Sequence, residues 1–128
     1  MRGWPFFSKM SSMIEESDFW RLCDELLATS EFVIDRPKGS RHPRYPEVIY
    51  PVDYGYLKNT TSMDGGGIDI FLGTEPNRCL DAIICTVDLF KCDSEIKLLI
   101  GCSENEKRAA LQLLNEAEFM KGLLIRRS

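Results

Sequence analysis

A chain of 128 residues, 44% hydrophobic and 28% charged, has the size and composition of one compact domain with its own core. Its net charge of −4 argues against a general nucleic-acid binder, which needs a basic face. No stretch approaches the ~18 consecutive apolar residues of a membrane span. The cysteines, Cys23, Cys79, Cys85, Cys92 and Cys102, match no zinc spacing, so they read as reduced thiols in a cytoplasmic protein.

Residues 1–16 read as a leader without a clear period, too broken by Pro5 and Lys9 for a signal peptide, and residues 17–128 as a single domain. A helix is predicted from about Ser17 to Ala28, capped by Ser17, with Phe19, Leu22, Cys23, Leu26 and Leu27 at helical spacing. A short strand follows at Glu31–Asp35. The proline-rich stretch 37–46 is loop. Glu47–Tyr50 and Tyr54–Leu57 read as strands on either side of Pro51. Ile68–Leu72, Leu80–Phe90 and Ile96–Ile100 are further strands, with turns at 59–67 and 92–94. Ser103-Glu-Asn-Glu106 is a capping box opening a second helix, which Gly122 is expected to end. Short strands with irregular connections, flanked by helices, predict an α+β domain built as a small closed barrel.

Four groups of residues can carry chemistry. Arg36, Lys38, Arg41 and Arg44 cluster in a stretch that contains no acid; guanidinium forks match phosphate oxygens, although by itself the run reads first as a solvated loop. Asp64 and Asp69 flank the glycine run 65–67, where a turn can bring two carboxylates to one hard cation, or serve only as a turn. Asp93, Glu95 and Lys97 share one face of an extended chain, either as metal and phosphate ligands or as the solvent face of an edge strand. Tyr50, Tyr54 and Tyr56 alternate, as phosphate donors or as packing. With His42 as the sole histidine and no Gly-x-Ser-x-Gly, a serine-hydrolase triad is not the expected reading.

In order, Pro37-Lys-Gly-Ser-Arg41, Tyr50-Pro-Val-Asp-Tyr-Gly-Tyr56, Asp64-Gly-Gly-Gly-Ile-Asp69 and Glu95-Ile-Lys97 resemble the soluble magnesium-dependent inorganic pyrophosphatases over residues 31 to 125. The resemblance implies a five-stranded OB-fold-like barrel with helices outside, several Mg2+ ions, and hydrolysis of pyrophosphate to two phosphates. It implies Asp64, Asp69, Asp93 and Glu95 as metal ligands, and Asp69, Tyr54 and Lys97 as the catalytic set. Lys38, Arg41, Arg44, Tyr54, Lys97 and Lys121 would face phosphate, and Asp35 sits where the family has a glutamate near an outer metal. A homo-oligomer is left open. Gly66 and Gly67 stand where the family has an aspartate and a proline, Met120 where it has a tyrosine, and Glu95 where it has an aspartate. The segment between Arg44 and Tyr50 is shorter than the family's. These departures keep two other readings open: a module that binds a phosphorylated ligand or protein partner without hydrolysis, and a hydrolase of a larger phosphoanhydride.

Overall fold

A computed structural model describes residues 16–62 and 64–128. The leader proposed for residues 1–16 therefore lies almost wholly outside the described residues. The element order is α1 (Glu16–Ala28), β1 (Phe32–Arg36), β2 (Asp53–Leu57), β3 (Ile68–Leu72), β4 (Leu80–Asp88), β5 (Asp93–Ile100), α2 (Glu104–Leu113) and β6 (Met120–Arg126). The strands form one six-stranded sheet in the order β1-β2-β3-β5-β4-β6. All pairings are antiparallel except β3 with β5, which run parallel.

The expected closed barrel is corrected to this open mixed sheet. Closure requires the first and last strands to pair, whereas β1 pairs with β2 and β6 with β4, leaving β1 and β6 as edges. The sheet instead buries apolar side chains on both faces. One face packs Leu57, Ile70, Ile83, Leu98 and Ile100 against Trp20 of α1. The other packs Phe71, Ala82, Ile84 and Leu99 against Ala110 of α2 and the adjacent Leu114. Trp20 is the buried anchor of α1, whereas Phe19 and Leu22 of the predicted stripe are exposed. Arg127 ties the chain end to α1, bonding both carboxylate oxygens of Asp24 at 3.0 and 2.8 Å and lying over the Trp20 ring. All five cysteines are free thiols. No helix among the described residues is long and apolar enough to cross a membrane.

Two further expectations are corrected. Glu47–Tyr50 is not a strand: its only ladder contact is the isolated bridge between Ile49 and Arg41. The second helix does not reach Gly122. It stops at a right-handed cap, Leu114, and the chain turns into edge strand β6. Asn115 makes that reversal, donating to Leu111 O and Gly122 O while accepting from Gly122 N. Gly122 is small because an added Cβ would lie 2.8 Å from Ile84 Cγ2, not because it caps a helix.

The capping box forms as the sequence predicts, with Ser103 Oγ accepting from Glu106 N. Glu106 also accepts from Ser103 N, Thr74 N and Thr74 Oγ1, fastening α2 to the loop after β3. Burial alone would raise its pKa, but these donors outweigh it and hold the carboxyl below its ordinary value. A lowered folded-state pKa gives stability that is present above the unfolded value of about 4.5 and is lost as pH falls through the folded value. Urea midpoints are therefore expected to fall on acidification below pH ~4.5, and Glu106→Gln to weaken that dependence. An unchanged acid slope in the variant would count against the assignment.

Candidate functional site

The site begins at a bulge. Register shifts between Ile34 and Arg36, so Ile34 opposes Gly55 while Arg36 opposes Tyr54, with Asp35 as the extra, exposed residue. A bulge of this kind re-aims the side chain after it. Arg36 donates to Tyr50 Oη, and its guanidinium lies 5.6 and 5.9 Å from the Tyr50 and Tyr54 ring centres. Tyr50 and Tyr54 stack at 5.1 Å, and Tyr54 continues onto buried Phe71 at 4.8 Å. This aromatic column fixes where the Tyr54 hydroxyl points.

That hydroxyl meets Lys97, which joins it to two carboxylates on neighbouring strands. Lys97 Nζ of β5 donates to Tyr54 Oη at 3.2 Å, to Asp69 Oδ2 of β3 at 2.6 Å and to Glu95 Oε1 at 3.1 Å. Side-chain exposure is 8% for Lys97, 7% for Glu95 and 23% for Asp69. Glu95 Oε2 is buried with no hydrogen-bond partner. Alternation does place Asp93, Glu95 and Lys97 on one face, but β5 is an interior strand and this is the face it shares with Leu99, on the side packed by α2, so Lys97 is buried while Ile96 is exposed. Burial pushes the Lys97 ammonium down, but Tyr54, Asp69 and Glu95 outweigh it, and the group stays protonated. Burial raises the Tyr54 phenol, which stays neutral at physiological pH.

The remaining expected ligands lie around this centre. Asp64 Oδ1 accepts from Ser62 Oγ and Gly66 N, both at 2.9 Å. Those bonds, then the charges of Lys91 and Lys97, hold its carboxyl below the usual range despite some opposing burial. Gly67 allows the turn to close, since a Cβ there would lie 2.7 Å from Leu57 O. Asp93 is half-buried and opposes Asp88 across the hairpin. Among the described residues no group of three or more His, Cys, Asp or Glu side chains is placed to hold a metal ion. The structure thus joins Asp69 and Glu95 and does not gather Asp64 and Asp93 with them.

The basic arms are looser. Lys38 is exposed and its backbone N–H is held by Asp53 Oδ1 at 2.7 Å. Arg41 donates to Pro46 O, and Arg44 is exposed. Lys121 opposes Val87, on the sheet face away from Lys97, and donates to Asn115 O at 3.0 Å. His42 Nδ1 accepts from the backbone N–H groups of Arg44 and Tyr45. Burial, then the charges of Arg36, Arg44 and Lys91, lower its pKa and keep it neutral.

Sequence reasoning missed one feature, Lys91. Lys91 sits in the β4–β5 turn, and its positive charge helps to lower the pKa of both His42 and Asp64. Asp88, 6% exposed, uses Oδ1 to accept from Phe90 N and Lys91 N and so shapes that turn. Nothing local in the sequence pointed to Lys91.

No family model and no curated protein sequence matches the chain. Solved structures do. An inorganic phosphatase of Anaplasma phagocytophilum superposes with a TM-score of 0.52 at 11% identity, covering 74% of this chain and 81% of that one. An inorganic pyrophosphatase of Helicobacter pylori superposes with a TM-score of 0.50 at 14% identity, covering 77% and 84%. At such identities the likeness is one of architecture, and the chain has a pyrophosphatase-like α+β fold.

Proposed function

We propose that the chain binds inorganic pyrophosphate with magnesium and hydrolyses it to two phosphates. The observation that carries this reading is the meeting of Tyr54, Asp69, Glu95 and Lys97 from three strands, with one carboxylate oxygen buried and unpartnered. Magnesium is typically held by one or two carboxylates, with phosphate oxygens and water completing its shell. Asp69 and Glu95 fit that number, and the open Oε2 fits a hard cation. When bound, the ion offsets charge on the phosphoryl oxygens and makes a bound water more acidic.

The chain's own groups supply the rest. Tyr54, neutral and positioned by its ring stack, offers a hydroxyl to a phosphate oxygen or to the attacking water. Lys97 keeps its proton, so it serves as a permanent positive charge rather than as an acid. Arg36, Lys38, Arg41 and Arg44 lie on β1 and the loop beyond it, where they meet the far phosphate. The test is phosphate release from pyrophosphate with and without magnesium. Asp69→Asn is expected to lower magnesium-dependent turnover by at least about tenfold. Turnover indifferent to magnesium, or equal in the variant, would sink the reading.

A second reading is a binding module without hydrolysis. It is favoured by the Lys97 ammonium already sitting between both acids, and by Gly66 standing where the resembled family carries another carboxylate. Calorimetric pyrophosphate binding with no phosphate released would decide for it.

A further inference from the structure

The charges around Lys97 do not balance. Asp69 and Glu95 bring two negative charges, and among the described residues each is paired only with Lys97, which returns one. The leftover negative charge lies where one carboxylate oxygen has no partner and the Glu95 side chain is 7% exposed. Lys107 gives the contrast. It also holds two carboxylates, Asp81 and Glu104, but Arg126 brings a second cation to Glu104 at 2.7 Å and the two acids are 48% and 53% exposed, so although Asp81 Oδ1 also lacks a partner, no net charge is left over there. At Glu95 no second cation stands by among the described residues, and little of the side chain meets water. A group that is buried, net negative and open at one oxygen is arranged to take a further cation.

A dication cannot simply be added. The ammonium already stands at 2.6 and 3.1 Å from the two carboxylates that the ion would use. Like charges held a few ångströms apart, away from water, repel strongly. Lysine is suited to yield: its ammonium is a compact charge with three rotatable donors on a flexible stem, unlike the rigid fork of arginine.

We propose that Lys97 is an exchangeable counter-ion: a divalent cation approaching Glu95 Oε2 takes Asp69 and Glu95 from the ammonium, which then turns, past Tyr54 Oη, to the bound anion. This rests on the magnesium and phosphate reading above and adds an order of events. Before the cation arrives, Lys97 keeps the acids together and is itself unavailable to phosphate. Afterwards, the cation and the released lysine face the anion together. Removing the lysine therefore has opposite effects on the two ligands, strengthening metal binding and weakening anion binding.

The test uses Mn2+ as probe, with calorimetry on wild type, Lys97→Met and Lys97→Gln. Both variants are expected to bind Mn2+ at least ~10-fold more tightly than wild type, a difference of about 1.4 kcal/mol. With Mn2+ fixed, both are expected to bind pyrophosphate more weakly. In wild type, acetic anhydride labelling of Lys97, read by mass spectrometry, is expected to be slow without Mn2+ and faster with it. This measurement carries the test if neither variant folds. Equal or weaker Mn2+ binding in folded variants, or Mn2+ binding to wild type without a change in Lys97 labelling, overturns the exchange and leaves the magnesium reading standing. Failure of every form to bind Mn2+ overturns both.

Discussion

Replacing Lys97 with methionine in metal-free buffer is expected to cost about 3–5 kcal/mol of stability, the penalty for removing one partner of a buried ion pair. The reason is geometric. Glu95 has one oxygen unpartnered even in the wild type, and Lys97 is the cation holding the other. Without the ammonium, two carboxylates remain side by side, one nearly dry and one mostly covered. Small domains are stable by only about 5–15 kcal/mol, so the variant approaches unfolding. Adding Asp69→Asn and Glu95→Gln is expected to recover much of the loss, because it removes the charges left behind. Lys107→Met is the comparison. Its partners are about half exposed and Glu104 keeps Arg126, so the expected loss is smaller than that of Lys97→Met. Urea unfolding at neutral pH measures all three. A Lys97→Met loss no larger than that of Lys107→Met would show that water reaches the acids unaided.

Gly55→Ala is the second large effect, at about 3 kcal/mol, the upper range for overpacking. Gly55 lies in β2 between Ile34 of β1 and Ile70 of β3. A Cβ there would collide with Val33 O and approach Ile34 Cα to 2.8 Å. The obstacle is backbone, so no rotamer change relieves it; β1 must move. That strand carries the bulge that sets Arg36 against Tyr50 and Tyr54. The variant is therefore expected to lose anion affinity along with stability. Urea unfolding and pyrophosphate titration check the pair. A stable variant with unchanged affinity would mean that β1 tolerates displacement, and that Arg36 does not act through the bulge.

Much of the local structure was legible. Ile68–Leu72 is the strand its apolar run predicts, and Ser103 and Glu106 form their box, because both depend on residues within a turn of one another. Met120–Arg126 was misread because Leu123, Leu124 and Ile125 show no alternation, and a glycine past a helix resembles a cap. Glu47–Tyr50 has the composition of a strand but meets one bridge partner, Arg41. Strand propensity describes a surface that fits a neighbour, and here a ladder of neighbours is absent.

The sequence by itself determined which side chains are available for chemistry: Tyr54, Asp69, Glu95 and Lys97 were identifiable by residue type and by the order of their segments. Period-2 geometry also determined that Glu95 and Lys97 share a face. Tertiary structure decided that this face is covered, by packing it on the side where α2 and Leu114 sit, and that β5 is no edge, by running it between β3 and β4. It decided that one ammonium reaches acids from two strands, through the parallel pairing of β3 with β5. It also decided, by leaving β1 and β6 unpaired with each other, that the sheet stays open. Backbone preferences act over a few residues, whereas burial and charge pairing depend on which distant segments become neighbours, and packing across the whole chain settles that.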